Sequence, residues 1–512
     1  MSMQSFIMSY PKLTRLFMSN MSASFWCKQG KKNALKVFKQ TAENSPAYRD
    51  FLKTNKIKSQ DIKTIADFEK LPILNKKNYV AKYPLEKLTF EGKLSSKYTI
   101  EKSSGTTGSS FFWPRLAEED AIFPKYIEYA FVQFYGIDKK STLVILTLAL
   151  GTWTSGEKMA EALRMAAKKP NYKMTVVTPG ANQEEVIEIV KNLSKQYEQT
   201  VIVGYPPFIK SVIDEGIRHR INWKKLNTKL GLGGEGYSEA WREYMAKRIG
   251  LPKKDLLGIS GGYGAADVGM SVGREYPISI LIRKWANKDK KLAKDLFGDH
   301  CIMPSLLQYS PGTFYIETGK TGELLFTVKA GIPLVRYNIH DKGGVIPFDK
   351  MLEILKKHGY EPYEKLKAYG YQKGDIWRFP FFYVFGRSDG TISVGGANIY
   401  PENIEAALYH KDAKIVNAHK LTLEIDEEMN TRPSILVELT QDTKPLIESE
   451  TVMLEKKLHD LFLAKMLQIN QDFRDAHRVD PKTTDPKVKI FTFGQGPFAE
   501  DKKRIKRRYI VR

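Results

Sequence analysis

Cysteine is almost absent from this chain, whose 512 residues contain only Cys27 and Cys301. Neither lies near other cysteines or a histidine cluster, which excludes a disulfide scaffold and a cysteine-rich zinc site and favours a reducing compartment. Long apolar runs are missing too, since the run from Leu143 to Leu150 is too short to span a bilayer. Residues 1–26 show no continuous apolar stretch with a small-residue cleavage site, so we expect a cytoplasmic protein with no membrane span.

Acidic residues are in deficit. The chain has 58 aspartates and glutamates against 81 lysines and arginines, which gives a net charge of +23. Such a surface favours anionic partners, but it does not choose among nucleotides, coenzymes, nucleic acid and acidic lipid. The hydrophobic content of 42% is that of a folded globular protein, and the length suggests two to four domains.

The order of apolar and polar runs predicts a mixed α/β protein. Residues 1–95 have helical spacing, and residues 118–259 alternate helices with short apolar strands such as Val201-Ile-Val203. This alternation is typical of a largely parallel sheet with covering helices. From about residue 310 to 386 the runs are β-rich, and the last 120 or so residues are enough for a separate small α/β domain.

A Ser/Gly loop follows a short strand-like run near residue 100. Lys102 to Ser110 reads K-S-S-G-T-T-G-S-S, with hydroxyls and glycines packed between Ser103 and Gly108. Glycine lets backbone N–H groups turn inward, and the hydroxyls add donors, so the loop suits a polyphosphate. It is neither a Walker A loop nor a dinucleotide fingerprint, and an exposed linker would have a similar composition.

Five further stretches of unusual composition follow in order, and a sixth closes the series near the C-terminus. They are Gly233-Gly-Glu235, Tyr263-Gly-Ala-Ala-Asp267, Gly322-Glu-Leu324, Arg336-Tyr-Asn-Ile-His-Asp341, Gly386-Arg-Ser-Asp-Gly390 and Glu500-Asp-Lys502. From about residue 35 to the C-terminus, this series resembles the adenylate-forming superfamily, and most closely its phenylacetate–CoA ligase-like branch. The resemblance implies a large N-terminal AMP-binding domain, residues 1–386, and a small mobile C-terminal α/β domain, residues 387–512.

The resemblance also implies roles on the nucleotide side. Ser103, Ser104, Gly105, Thr106, Thr107 and Gly108 would hold the β- and γ-phosphates, with Thr107 counted among the catalytic residues. Gly234 and Glu235 would approach the adenine, Tyr263 would stack against it, and Gly264 is counted with them among the nucleotide-binding residues. Without the family, a tight turn before a helix capped by Ser238 explains the glycines equally. Asp267 stands where the family has glutamate, and it would ligate Mg²⁺ and orient the α-phosphate.

Four more residues complete the expected site. Asp341 would accept both ribose hydroxyls, the alternative being an exposed loop aspartate. Arg387 would contact the nucleotide and Asp389 would act as the hinge of the small domain, the alternative being a plain linker. Lys502 matches the family's mobile catalytic lysine, although Lys503 and Arg504 are close in sequence and a solvated basic tail is the alternative.

Two departures from the family pattern stand out. Ser109 replaces a lysine that often follows the second loop glycine, so we expect Lys102 or Arg115 to compensate, or turnover to be slower. The second is the shorter carboxylate of Asp267. For the acyl pocket, Trp153, Tyr205 and Ile259 are candidate walls, although each fits a plain core position equally.

The activity implied is adenylation of a carboxylic acid with ATP and Mg²⁺, followed by transfer of the acyl group to a thiol. Coenzyme A is the expected acceptor, and a carrier-protein thiol is the alternative. A different reading is a degenerate nucleotide- or nucleic-acid-binding member without ligase activity. Nucleic acid is not the expected partner, and a homodimer is the commonest outcome for soluble homo-oligomers. The identity of the acid stays open.

Overall fold

A computed structural model describes residues 11–94, 99–103, 111–150, 154–299, 303–387, 392–399, 403–404, 415–444 and 446–499. The chain divides into two compact units. The larger contains Met1–Ser103, Phe112–Gly204 and Val212–Gly386, and the smaller contains Ser104–Phe111, Tyr205–Ser211 and Arg387–Arg512. Over these described ranges, no helix is both long and apolar enough to cross a membrane.

The N-terminal part is helical, as the apolar spacing predicts. Ser22 and Ser45 start two of its helices by accepting hydrogen bonds from the backbone N–H groups of Phe25 and Tyr48. Pro46 then occupies the first turn, where its missing N–H removes no helical bond. The helices are α1 (Pro11–Asn20), α2 (Ala23–Asn44), α3 (Pro46–Thr54) and α4 (Leu85–Leu88).

One sheet of 11 strands organises the larger unit. Its first half is parallel and reads β4-β3-β5-β6-β7. Continuous apolar runs are buried on both faces in such strands, as β3 illustrates with every residue buried. The bounds are β3 (Thr142–Leu146), β4 (Met174–Val177), β5 (Gln199–Gly204), β6 (Thr228–Leu232) and β7 (Ile259–Ala265). The predicted α/β class is confirmed.

The second half of the sheet continues from β7 in the order β8-β9-β13-β12-β11-β10. Its antiparallel pairs join the predicted β-rich stretch directly to the parallel strands by hydrogen bonds. The bounds are β8 (Gly269–Arg274), β9 (Ser305–Gln308), β10 (Phe314–Thr318), β11 (Glu323–Val328), β12 (Leu334–Ile346) and β13 (Phe381–Arg387). A separate pair, β1 (Thr99–Ser103) and β2 (Phe111–Arg115), flanks the Ser/Gly loop in sequence.

Helices follow most of the strands between residues 117 and 368. Left-handed glycines end two of them, Gly136 after α5 and Gly250 after α9, where a residue with a β-carbon would be strained. The helices are α5 (Ala117–Tyr135), α6 (Thr154–Ala167), α7 (Gln183–Leu193), α8 (Pro206–Arg218), α9 (Glu239–Ile249), α10 (Pro277–Lys288), α11 (Lys290–Phe297), α12 (Phe348–Lys357) and α13 (Pro362–Ala368).

The smaller unit has its own apolar core. Phe462 and Met466 of its long helix are fully buried with Ile435 and Val437 of its sheet. The strands are β14 (Ile392–Val394), β15 (Ala397–Ile399), β16 (Val416–Ile425), β17 (Thr431–Leu439) and β18 (Lys487–Phe491), and the helices are α14 (Glu448–Ile469), α15 (Gln471–Val479) and α16 (Pro481–Thr484).

Candidate active site

Two carboxylates from different parts of the sheet each accept a hydrogen bond from a tyrosine. Asp267 lies in the turn between β7 and β8, and its Oδ2 accepts a hydrogen bond of 2.7 Å from the hydroxyl of Tyr337 on β12. Asp341, on β12, accepts in return from the hydroxyl of Tyr263 on β7. Both carboxylates are buried, each 7% exposed. The crossed pairs hold β7 and β12 in a fixed relation, although three strands separate them in the sheet.

Asp341 does not lie in a loop. Strand β12 runs from Leu334 to Ile346, so Asp341 lies within it. The register with β11 carries the strand onward, because Asn338 lies opposite Leu325 and Lys342 opposite Glu323. Burial within a strand excludes the alternative of an exposed loop aspartate. Contact with a ribose stays a prediction.

A lysine that sequence reasoning missed completes this group. Lys76 Nζ lies 3.2 Å from Asp267 Oδ1, and its side chain is 28% exposed. Its segment is held against β12, because Leu74 accepts from the Asn338 N–H at 2.8 Å and donates to the Arg336 carbonyl at 3.3 Å. Nothing in the sequence distinguishes Lys76 from the other cations of a basic chain, so only the pairing of chain segments reveals it.

Arg336 fastens the same N-terminal segment. Its Nη1 donates to the carbonyls of Phe68 and Leu71 at 2.6 and 3.0 Å, and the residue is 8% exposed. Its φ of 52° is unusual for a residue with a β-carbon. Arg336 therefore positions Lys76 through the chain and is not a charge on the edge of the sheet.

The ring of Tyr263 is supported on the protein side. Phe326 stacks with it at 6.4 Å between centroids, and Phe382 meets it edge-on at 5.5 Å. Phe382 in turn occupies the space in which a β-carbon on Gly273 would lie. A half-buried ring held in this way can serve as a platform for a flat base, the role predicted for Tyr263.

Backbone geometry requires glycine at two predicted positions. Gly234 has φ of 83°, in the left-handed region, and follows β6. A β-carbon on Gly264 would lie 3.0 Å from the Gly269 carbonyl and the Ser271 nitrogen, so the β7–β8 hairpin closes tightly there. Ser238 caps α9 by accepting from the Trp241 N–H at 3.1 Å, as predicted. Glu235 is half-buried beside this turn.

A buried ionic cluster is hydrogen-bonded to the backbone at the start of β7. Arg242 donates to Glu275 at 2.6 Å and to the Ile259 carbonyl at 2.6 Å, and Glu275 accepts from the Gly261 N–H at 2.8 Å. Arg283 joins the cluster through Glu239 at 3.0 Å. Burial would raise the pKa of Glu275, but the charges of Arg242 and Arg283 outweigh it and lower that pKa. Glu275 therefore stays ionised and holds the start of the strand that carries Tyr263.

Arg115 does not supply an exposed cation beside the Ser/Gly loop. Its side chain is 2% exposed and donates to Glu101 at 2.7 Å. The expectation that Arg115 replaces the loop lysine is therefore wrong, because its charge is already balanced inside the protein. Lys102 is half-buried on β1.

The remaining predicted residues fall in two groups. Ser103 ends β1 and Arg387 ends β13, and no role is tested for either. Outside the described residues lie Ser104, Gly105, Thr106, Thr107, Gly108, Trp153, Asp389 and Lys502. Their predicted roles stay predictions. Of the pocket candidates, Ile259 is 1% exposed at the start of β7, and Tyr205 is 7% exposed.

The donors present suit a magnesium ion that is shared with a phosphate. Mg²⁺ in nucleotide sites is held by one or two carboxylates together with substrate phosphates. Asp267 offers such a carboxylate, and among the described residues no group of three or more His, Cys, Asp or Glu side chains could form an all-protein cage. For a nucleotide, the aromatic ring of Tyr263 and the carboxylate of Asp341 are likewise of the right chemistry. The Tyr263 hydroxyl donates a hydrogen bond to that carboxylate.

Comparison with known proteins supports the same interpretation. The chain is 21% identical over 394 residues to phenylacetate–coenzyme A ligase of Aromatoleum evansii, covering 76% of each protein. It is 22% identical to the enzyme of that name from Escherichia coli K12, covering 81% of this chain and 82% of the relative. No protein-family model matches the chain.

Solved structures agree at the level of the fold. A crystal structure of 2-hydroxyisobutyryl-CoA ligase with 2-HIB-AMP and CoA, in the thioesterification state, superposes with a TM-score of 0.60 and 14% identity, covering 96% of this chain and 91% of that one. An open conformation of that enzyme gives 0.52 at 13% identity, covering 96% of this chain and 92% of that one. The resemblance drawn from the motifs is confirmed: the chain is similar to phenylacetate–CoA ligases over most of its length, and its fold matches that of adenylate-forming CoA ligases.

Proposed function

We propose that this protein is an ATP-dependent acid–thiol ligase. A substrate carboxylate oxygen bonds to the α-phosphorus of ATP, and the bond to pyrophosphate breaks. A thiolate then bonds to the acyl carbon, and AMP leaves with the electron pair of the broken C–O bond. The observation that supports the proposal is the pair of hydrogen bonds from Tyr263 to Asp341 and from Tyr337 to Asp267, because they connect β12 with β7 and the turn after it, which carry the three motif residues Tyr263, Asp267 and Asp341.

The described residues divide the work of binding ATP. The ring of Tyr263 offers a face to the adenine, and Asp341 offers its carboxylate to the ribose hydroxyls. Lys76 and Asp267 form an ion pair at the expected α-phosphate position, where a cation neutralises developing charge. Mg²⁺, held by Asp267, would add positive charge and orientation at the phosphates. Little covalent help is needed, because positioning and charge neutralisation dominate such reactions.

The rest of the machinery is carried over from the motif match. Residues 103–108 cradle the outer phosphates, and Lys502 neutralises the reacting carboxylate and α-phosphate. Arg387 contacts the nucleotide, and Asp389 is the hinge about which residues 387–512 rotate before the thiol attacks. Coenzyme A is the proposed acceptor, since its phosphates suit a protein with a net charge of +23. A carrier-protein thiol is the alternative acceptor.

The experiment is acid-dependent exchange of labelled pyrophosphate into ATP, measured with a panel of aryl and alkyl acids that starts with phenylacetate. With an accepted acid, addition of coenzyme A should give a thioester and AMP, identified by mass. Exchange without thioester formation would direct the test to carrier proteins. Absence of exchange with every acid, together with salt-sensitive binding of nucleic acid, would favour a degenerate binding protein and overturn the ligase proposal.

A further inference from the structure

One buried guanidinium joins three separate segments of the larger unit. Arg115, at the end of β2, donates from Nη2 to Glu101 on β1 at 2.7 Å and also to the backbone carbonyl of Ala266. Its Nη1 lies 3.8 Å from Glu119 in the first turn of α5. The side chain is 2% exposed, so these contacts are made away from water.

The segments joined by Arg115 are those that lead into the predicted phosphate and metal contacts. Glu101 lies two residues before Ser103, where the Ser/Gly loop begins, and Ala266 immediately precedes Asp267. The guanidinium fork is planar and holds its donors at fixed angles, which makes it a rigid connector. We propose that Arg115 is a positioning residue that holds the Asp267 turn against strand β1. This inference rests on the proposed ligase function.

A second cation holds β1 from the other side. Lys158, on α6, pairs with Glu101 and lies 2.8 Å from Asp120, which accepts from the Thr99 hydroxyl at 2.6 Å. A buried carboxylate such as that of Glu101, which is 6% exposed, is tolerated only when it is paired and hydrogen-bonded. The base of the β1–β2 pair is therefore anchored by Arg115 to the Asp267 turn and by Lys158 to the helical layer.

Glu119 completes the surroundings of the guanidinium. Its Oε2 accepts from the N–H groups of Leu116 at 2.6 Å and Gly331 at 3.0 Å. Burial raises the pKa of Glu119 to about 6, against the opposing effect of Arg115. Arg115 is thus enclosed by protein groups on each side and acts on the nucleotide through the backbone that it holds.

A purely structural role makes a different prediction from a positioning role. If Arg115 only stabilises the fold, its loss lowers the melting temperature and leaves the dependence on Mg²⁺ and ATP unchanged. If it holds the Asp267 turn in place, both dependences change together, because the carboxylate proposed to hold the metal at the nucleotide phosphates is displaced. Changes in the outer-shell partners of a metal site typically cost about 10–100-fold in metal affinity or activity.

The test uses the full chain with Arg115→Met and Arg115→Lys. We expect Arg115→Met to raise the Mg²⁺ and ATP concentrations for half-maximal pyrophosphate exchange by about tenfold or more, with the KM for the acid nearly unchanged. Arg115→Lys, which keeps the charge but not the fork, should fall between. The three proteins should rank in the same order in a measurement that needs no turnover. This measurement is the rise in melting temperature that ATP causes at a series of Mg²⁺ concentrations.

Rescue and a matched control separate the two roles. A cavity of about 230 Å³ borders Arg115, Glu119 and Lys158, so guanidinium ion at low concentration should restore the Mg²⁺ dependence of Arg115→Ala. Arg248→Met, which removes an ion pair of 3.0 Å with Asp214, should leave it unchanged. Normal Mg²⁺ and ATP dependence in Arg115→Met overturns the inference. If the wild type shows no exchange with any acid, the ligase proposal fails, while the ATP-dependent melting shift still decides the role of Arg115. A wild type whose melting temperature does not respond to ATP overturns both.

Discussion

Lys76 Nζ lies 3.2 Å from Asp267 Oδ1, so a lysine of the helical N-terminal part is paired with the carboxylate expected to hold the metal. We predict that Lys76→Met lowers the rate of pyrophosphate exchange by about 100-fold, the typical cost of removing one group that stabilises a developing charge. Lys77→Met is the matched control, because Lys77 is exposed and adjacent. Equal rates in the two variants would exclude a role for Lys76.

Asp267 should be sensitive to charge more than to length. Asp267→Asn removes the negative charge that pairs with Lys76 and that suits Mg²⁺, so exchange should fall by about 100-fold or more. Asp267→Glu restores the residue typical of the family and should retain most activity, with a changed Mg²⁺ optimum. The measurement is exchange against Mg²⁺ concentration. An Asp267→Asn protein with the wild-type Mg²⁺ response would remove Asp267 from the metal site.

The hydroxyl and the ring of Tyr263 should have separable effects. Tyr263→Phe loses only the hydrogen bond to Asp341, a loss worth about 1 kcal/mol, so the KM for ATP should rise by roughly fivefold. Tyr263→Ala also loses the aromatic face and should raise it much further. Initial rates at varied ATP and saturating acid give both values. If Tyr263→Ala matched Tyr263→Phe, the ring would not be the adenine platform.

Arg336 should matter for stability. Arg336→Met leaves the carbonyls of Phe68 and Leu71 without their buried donor, which should lower the free energy of unfolding of the larger unit by about 2–3 kcal/mol. Lys329→Met, which breaks an exposed ion pair with Glu118 at 3.0 Å, should change it by less than about 1 kcal/mol. Urea unfolding followed by tryptophan fluorescence measures both. Similar losses in the two variants would contradict the anchoring role.

The contribution of His459 to the stability of the smaller unit should fall as pH rises above about 6.5. His459 contacts Asp460 and Asp485, each at 2.9 Å, and although burial lowers its pKa, the two carboxylates raise that pKa above the ordinary histidine value of 6.5. A raised folded-state pKa gives a stabilisation that is complete below pH 6.5 and is lost as pH rises through the higher folded-state value. Melting curves of the wild type and His459→Gln over pH 6 to 9 should converge at the alkaline end. A constant difference across that range would argue against this linkage.

The sequence predicts the elements of this fold better than their extent. The apolar run at Leu143 to Leu146 and the spacing of α5 are local signals, and the observed elements agree with them. Strand β12 continues past Asp341 with β11 alongside it as far as Lys342, which lies opposite Glu323, and such a pairing cannot be read from local residue preferences. The β-rich stretch joins the main sheet for the same reason.

The motifs and their order along the chain singled out Tyr263, Asp267 and Asp341 as predicted site residues, but they could not identify the side chains that contact these three. Tyr337, Lys76 and Arg115 reach the site from distant segments, and which cation is buried depends on how those segments pack. The expectation that Arg115 compensates for the loop lysine replaced by Ser109 was wrong for this reason, because the Arg115 side chain is buried beside Glu101.

Gly273 lies against Phe382, so a substitution at Gly273 would act on Tyr263, the proposed adenine platform, through the Phe382 ring. Any side chain at Gly273 would displace the Phe382 ring, whose edge-on contact fixes Tyr263. In the proposed site, alanine at Gly273 would therefore change the ATP requirement without altering a residue proposed to bind the nucleotide. Variant libraries screened for an altered ATP requirement should include Gly273 on β8.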